Sequence, residues 1–81
     1  MTKSEKILRR MRNNPRDWTT EDPKILAARY QIDWRQPGTS HVTFSRPSLA
    51  PLTVPAHKPV KSIYITRFIA LIDSLSDDHD E

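Results

Sequence analysis

The period of the apolar residues changes twice along this 81-residue chain, and that change restricts its fold more than any other feature. Apolar side chains first recur at helical spacing, then alternate with polar ones, then return to helical spacing. The helical stretches and the alternating one must share one modest core, because a chain this short has room for a single domain. The pattern predicts helix, helix, three antiparallel strands, helix, an α+β fold with the helices packed on one face of the sheet.

The first helix is expected from about Lys3 to Asn13. Thr2-Lys3-Ser4-Glu5 fits a capping box, in which the Thr hydroxyl and the Glu carboxylate satisfy free amides at the helix start. Ile7, Leu8 and Met11 form a narrow apolar stripe, while Lys6, Arg9, Arg10 and Arg12 occupy the rest of the surface. Asn13-Asn14-Pro15 ends it. The second helix is expected from about Thr20 to Tyr30. Thr19 or Thr20 is its cap, Glu21 and Asp22 suit its positive end, and Pro23 is tolerated in the first turn. Pro23, Leu26, Ala27 and Tyr30 then share a face.

Ile32-Asp33-Trp34-Arg35 and His41-Val42-Thr43-Phe44-Ser45 alternate, as half-buried strands do. Pro37-Gly38 between them suits the central positions of a type II turn, and Gly38 is the chain's one glycine. A third short strand, Leu52-Thr53-Val54, is flanked by Pro51 and Pro55, which suits a sheet edge. The last helix is expected from about Ser62 to Leu75. Ile65, Phe68, Ile69, Ile72 and Leu75 make a wide apolar face that Tyr64 and Leu71 broaden. Residues 1–76 thus read as one domain, and 77–81 as an acidic flexible tail placed beyond the negative end of the last helix dipole.

Charge narrows the partners. The formal net charge is +3, but four of the ten acids fall within Asp77–Glu81, so residues 1–76 carry 13 positive and 6 negative side chains, a net of +7. Such a body favours a polyanion, of which nucleic acid is the commonest. No stretch approaches the roughly 18 apolar residues that span a bilayer, so no membrane role is expected, and nothing argues against the cytoplasm. With no cysteine there is neither a disulfide framework nor a thiolate metal site. No His spacing fits zinc, one glycine cannot build a phosphate loop, and no nucleophile elbow occurs.

The remaining chemistry centres on His41. Strand alternation turns Val42 and Phe44 to the core and His41, Thr43 and Ser45 outward. Read from position alone, His41 is an ordinary exposed histidine more often than a catalyst. His57 lies in the Pro-rich loop Val54-Pro55-Ala56-His57-Lys58-Pro59, with Lys58 and Lys61 nearby. His79 sits in the acidic tail. RNA cleavage needs little machinery, because the substrate supplies its own nucleophile, the 2′-hydroxyl. An imidazole can take that proton near neutral pH, and a few cations can stabilise the charge growing on phosphate. Arg35, Arg46, Lys58 and Lys61 are the candidate phosphate-holding cations. Trp34, on the face of Ile32, is expected to pack in the core. Trp18, in a loop, is the better candidate to stack on an unpaired base, although packing explains it as well.

Arg35-Gln36-Pro37-Gly38-Thr39-Ser40-His41-Val42-Thr43-Phe44, then Leu52-Thr53-Val54-Pro55 and the Tyr64-to-Asp73 helix, resemble the HicA-type toxins of bacterial type II toxin–antitoxin systems. The match runs from about Glu21 to Asp73. The resemblance implies a fold like a double-stranded-RNA-binding domain and cleavage of messenger RNA without metal or other cofactor. It further implies an essential histidine at the position of His41, and inhibition by a HicB-type antitoxin covering the active site. The family's motif has glycine immediately before Ser-His, where this chain has Thr39, with Gly38 one residue earlier. Lys3 to Trp18 adds a basic helix ahead of the matching core. Two other readings stay open: a module of the same fold that binds RNA without cutting it, and a subunit whose basic face meets an acidic protein.

Overall fold

The computed structural model describes residues 2–38, 40–47 and 49–79, the last four by backbone alone. It holds α1 (Lys3–Asn13), α2 (Glu21–Arg29), β1 (Asp33–Arg35), β2 (His41–Ser45), β3 (Leu52–Pro55) and α3 (Ser62–His79). The fold is α+β in the expected order, with the strands antiparallel and arranged β1-β2-β3.

Helix α1 begins at the capping box. The Glu5 amide donates to Thr2 Oγ1 at 3.2 Å, and the Thr2 amide donates to Glu5 Oε1 at 3.0 Å. Those two bonds satisfy donors that have no partner inside the helix. They also hold the Glu5 carboxyl below its ordinary value, chiefly through the Thr2 backbone bond. The start of α2 departs from expectation. Thr20 stands at the cap position in helical backbone geometry and its side chain makes no cap bond. The Thr19 hydroxyl instead donates to Asp22 Oδ2 at 3.4 Å, closing the turn from the other side. Helix α3 also runs further than the apolar pattern indicates, to His79 rather than Leu75, since backbone hydrogen bonding can continue a helix past its last apolar residue. Of the expected acidic tail, Asp80 and Glu81 lie outside the described residues.

The core forms where the inner sheet face meets the helices. Val42, Phe44 and Val54 are buried, and so are Ile7 and Met11 of α1, Leu26 and Ala27 of α2, and Ile65, Phe68 and Ile72 of α3. Phe44 and Phe68 meet at a centroid distance of 4.9 Å and a tilt of 59°, joining sheet to helix at the centre. Helix α2 packs on β1 and α3 on β3, while α1 packs chiefly on the other two helices.

Trp34 corrects the expectation of core packing. It pairs with Phe44 across the strands, so it does point to the inner face, yet it is 42% exposed. Strand β1 is an edge, and Lys24 of α2 reaches over the ring, with its Nζ 4.3 Å from the centroid. That contact is a cation–π interaction rather than hydrophobic burial.

Two contacts far apart in sequence close the molecule. The Trp18 carbonyl accepts from the Val60 amide at 2.7 Å, pinning the loop before α3 against the link between α1 and α2. Arg12 of α1 grips Asp73 of α3 bidentately, at 2.5 and 3.1 Å. The guanidinium's hydrogen bonds hold the Asp73 carboxyl below its ordinary value and raise Arg12 above its own. A carboxylate held down in the folded state stabilises that state above the ordinary carboxylate range, and the benefit disappears as pH falls through it. Both side chains are about half exposed, so the effect is discounted to roughly 0.5–1 kcal/mol. Asp73→Asn should therefore lower the melting temperature by about 2–8 °C at pH 7. Thermal melts of the two proteins should converge as pH falls below the ordinary carboxylate range and on through the lower range of folded Asp73, where the group is protonated in both states.

Candidate active site

The helices leave the outer face of the sheet uncovered. Strand register sets Asp33 opposite Ser45, Arg35 opposite Thr43, Thr43 opposite Thr53, and His41 opposite Pro55. Directly paired residues point to one side, so all of these line the open face. The Thr43 and Thr53 hydroxyls lie 3.1 Å apart and bridge β2 to β3 at its centre.

His41 begins β2 immediately after the turn. Gly38 takes φ +86°, the left-handed value that the third residue of a type II turn requires. A Cβ there would meet no atom within 4 Å, so it is backbone conformation and not space that favours glycine. Thr39 lies outside the described residues. The Ser40 carbonyl accepts from the Ala56 amide at 2.8 Å, which extends the β2–β3 ladder past His41 and fixes the end of the turn. The imidazole is exposed, with Nδ1 3.1 Å from Ser40 Oγ and Nε2 without a partner among the described residues. When Nδ1 carries the proton and donates to Ser40, Nε2 presents a lone pair to solvent and can act as a base.

Next to this histidine is a cleft of about 150 Å³ lined by Pro55, His57, Lys61 and Tyr64. His41 is not in its wall, but His41 pairs across the strands with Pro55, which is. The fold thus brings His57 and Lys61 to the His41 end of the sheet. Arg35 stands diagonally across β1 from His41, a Cα separation of roughly 7–8 Å in such a pairing. Lys58 is exposed in the loop before a cis Lys58–Pro59 bond.

Arg46 is not part of this group. It follows the far end of β2, roughly 16 Å of strand from His41. Its guanidinium donates to the Tyr30 carbonyl at 2.7 Å, closing the C-terminal end of α2. Tyr64, which broadens the apolar face of the last helix, also lines this cleft. Its ring is half-buried, so one side packs and the other faces the cleft. Among the described residues no three His, Cys, Asp or Glu side chains converge as a metal would need, and no helix is long and apolar enough to cross a membrane.

The arrangement offers a base on an exposed strand, a second imidazole in an adjoining cleft, and cations on either side. Comparison with protein-family models, with curated proteins and with solved structures returned no match.

Proposed function

We propose that this chain is a metal-independent endoribonuclease of the HicA toxin type, which cuts messenger RNA with His41 and is held inactive by a HicB-type antitoxin. The observation that supports this reading best is the position of His41. It is exposed on an uncovered polar sheet face and lies cross-strand from the wall of a cleft holding His57 and Lys61. Buried packing does not account for a histidine so placed.

In the proposed reaction His41 Nε2 takes the proton of a 2′-hydroxyl, and the freed oxygen attacks the adjacent phosphorus. The bond from phosphorus to the 5′-oxygen breaks, and that oxygen takes a proton from a general acid, for which His57 is the candidate. The products are a 2′,3′-cyclic phosphate and a 5′-hydroxyl. Arg35, Lys58 and Lys61 stabilise the charge that builds on the phosphate oxygens. The toxin type and the antitoxin rest on the resemblance carried by the Gly38-to-Phe44 stretch, Leu52-to-Pro55 and the closing helix.

Unstructured RNA and DNA of the same sequence, each incubated with the protein in excess EDTA, test the reading. Cutting of RNA alone is expected. Binding of RNA with no cutting would favour a non-catalytic RNA-binding module, and cutting of both would exclude the 2′-hydroxyl as nucleophile.

A further inference from the structure

A second basic cleft lies away from His41 and has no part in the reaction above. It holds about 240 Å³ between the end of α1 and the loop after it, lined by Arg10, Asn14, Arg16, Asp17 and Trp18. The sequence from Lys3 to Trp18 carries six cations against two acids, and among the described residues only Arg12 of the six forms a salt bridge. The cleft is rigidly built. Trp18 Nε1 donates to the Asn14 carbonyl at 2.7 Å, the Arg16 amide donates to Asn14 Oδ1 at 3.1 Å, and the Trp18 carbonyl accepts from Val60. Arg10 lies over the indole ring at 5.8 Å from its centroid, which keeps its charge above the cleft floor.

This cleft continues toward His41. Arg16 and Asp17 also line a wider groove of about 530 Å³ that runs past Val60 to Lys61 and the exposed Ile63. Lys61 in turn lines the cleft beside His57. Shared walls therefore link Arg10 to Arg16, Arg16 to Lys61, and Lys61 to the edge of the His41 face.

We propose that this chain of clefts is a track for single-stranded RNA, in which the strand lying at His41 continues along Lys61 and Arg16 to Arg10. The inference rests on RNA as the ligand of the His41 face. A strand of phosphates fits better than an acidic protein. The cations follow one another along shared cleft walls to the edge of the His41 face, an order that a phosphate backbone can track. Among the described residues Asp17 is the one acid lining the path, and it opposes a phosphate there.

The test is binding of single-stranded RNA of about 4, 8, 12 and 16 nucleotides to protein carrying His41→Ala, followed by anisotropy at several salt concentrations. Affinity should rise from the shortest RNA to about 12 nucleotides and then level off. Arg10→Ala with Arg16→Ala should weaken the 12-nucleotide complex about tenfold and the 4-nucleotide complex less than about twofold. The salt slope of the longer complex should fall by about 1.4, two single-strand phosphate contacts. Asp17→Asn should tighten the longer complex about two- to threefold, a gain that damage to the fold cannot produce. Equal loss at every length, or no loss, would overturn the track. So would poly-glutamate competing as well as RNA at equal charge, which would make an acidic protein the partner. Wild-type protein on the same RNAs separates the two proposals. Length-dependent binding without cutting removes the catalytic reading and keeps the track, whereas cutting with length-independent binding does the reverse.

Discussion

His41→Ala should reduce RNA cutting by about 10²–10⁴-fold while leaving the fold intact. The range is what a positioned general base contributes, equivalent to about 3–5.5 kcal/mol of barrier. The fold should hold because the imidazole is exposed and, among the described residues, its side-chain hydrogen bond is to the neighbouring Ser40 hydroxyl. Surface substitutions of this kind stay within about 0.5 kcal/mol of stability. Circular dichroism and a thermal melt that match the wild type, alongside lost cutting, would assign the loss to chemistry. RNA affinity should change little, since the cations remain. A variant that cuts at more than about a tenth of the wild-type rate would remove His41 from the reaction.

The second large effect concerns stability. Phe68 is fully buried, and its ring meets Phe44 where α3 crosses the sheet. Truncation to alanine loses the transfer energy of the ring and leaves a cavity between helix and sheet, at a cost of about 3–5 kcal/mol. A domain of this size has a total stability of about 4–12 kcal/mol. Phe68→Ala should therefore lower the melting temperature by about 15 °C or more, and a large share of the protein should be unfolded at 37 °C. Phe68→Leu keeps most of the volume and should cost about 1–1.5 kcal/mol. Ile63→Ala, five residues earlier on the same helix but 51% exposed, should change stability by less than about 0.5 kcal/mol. If Phe68→Ala melted within a few degrees of the wild type, the Phe44–Phe68 contact would not be the centre of the core.

The sequence is most legible where one local rule decides the structure. The capping box at Thr2 and Glu5 specifies the start of α1, and alternation from His41 to Ser45 specifies which side chains face outward. Gly38 takes the positive φ that its place after Pro37 calls for. Legibility fails where two distant parts of the chain decide together. Alternation assigns Trp34 to the inner face, which is correct, but it does not say how far the helices extend over an edge strand. Trp34 meets Lys24 there instead of a hydrophobic layer.

The cations show the same limit. Composition counts Arg46 and Lys61 alike as basic, yet Arg46 turns to the carbonyl at the end of α2 while Lys61 faces the cleft beside His57. That difference depends on which helix end lies near, and no residue spacing records it. The Arg12–Asp73 clasp and the Trp18–Val60 bond join residues from opposite ends of the chain and leave no periodic trace. The grouping of His57, Lys61 and Tyr64 follows from the path of the loop between β3 and α3, which the Pro-rich sequence announces without fixing.

If the His41 imidazole promotes attack by a 2′-hydroxyl, the chemistry is recorded in the ends left on the RNA. Wild-type and His41→Ala protein should be incubated in excess EDTA with one unstructured RNA, and the fragments identified by mass. The wild type alone should leave 2′,3′-cyclic phosphate and 5′-hydroxyl ends. Equal cutting by both proteins, or fragments ending in 3′-hydroxyl and 5′-phosphate, would contradict that role of His41.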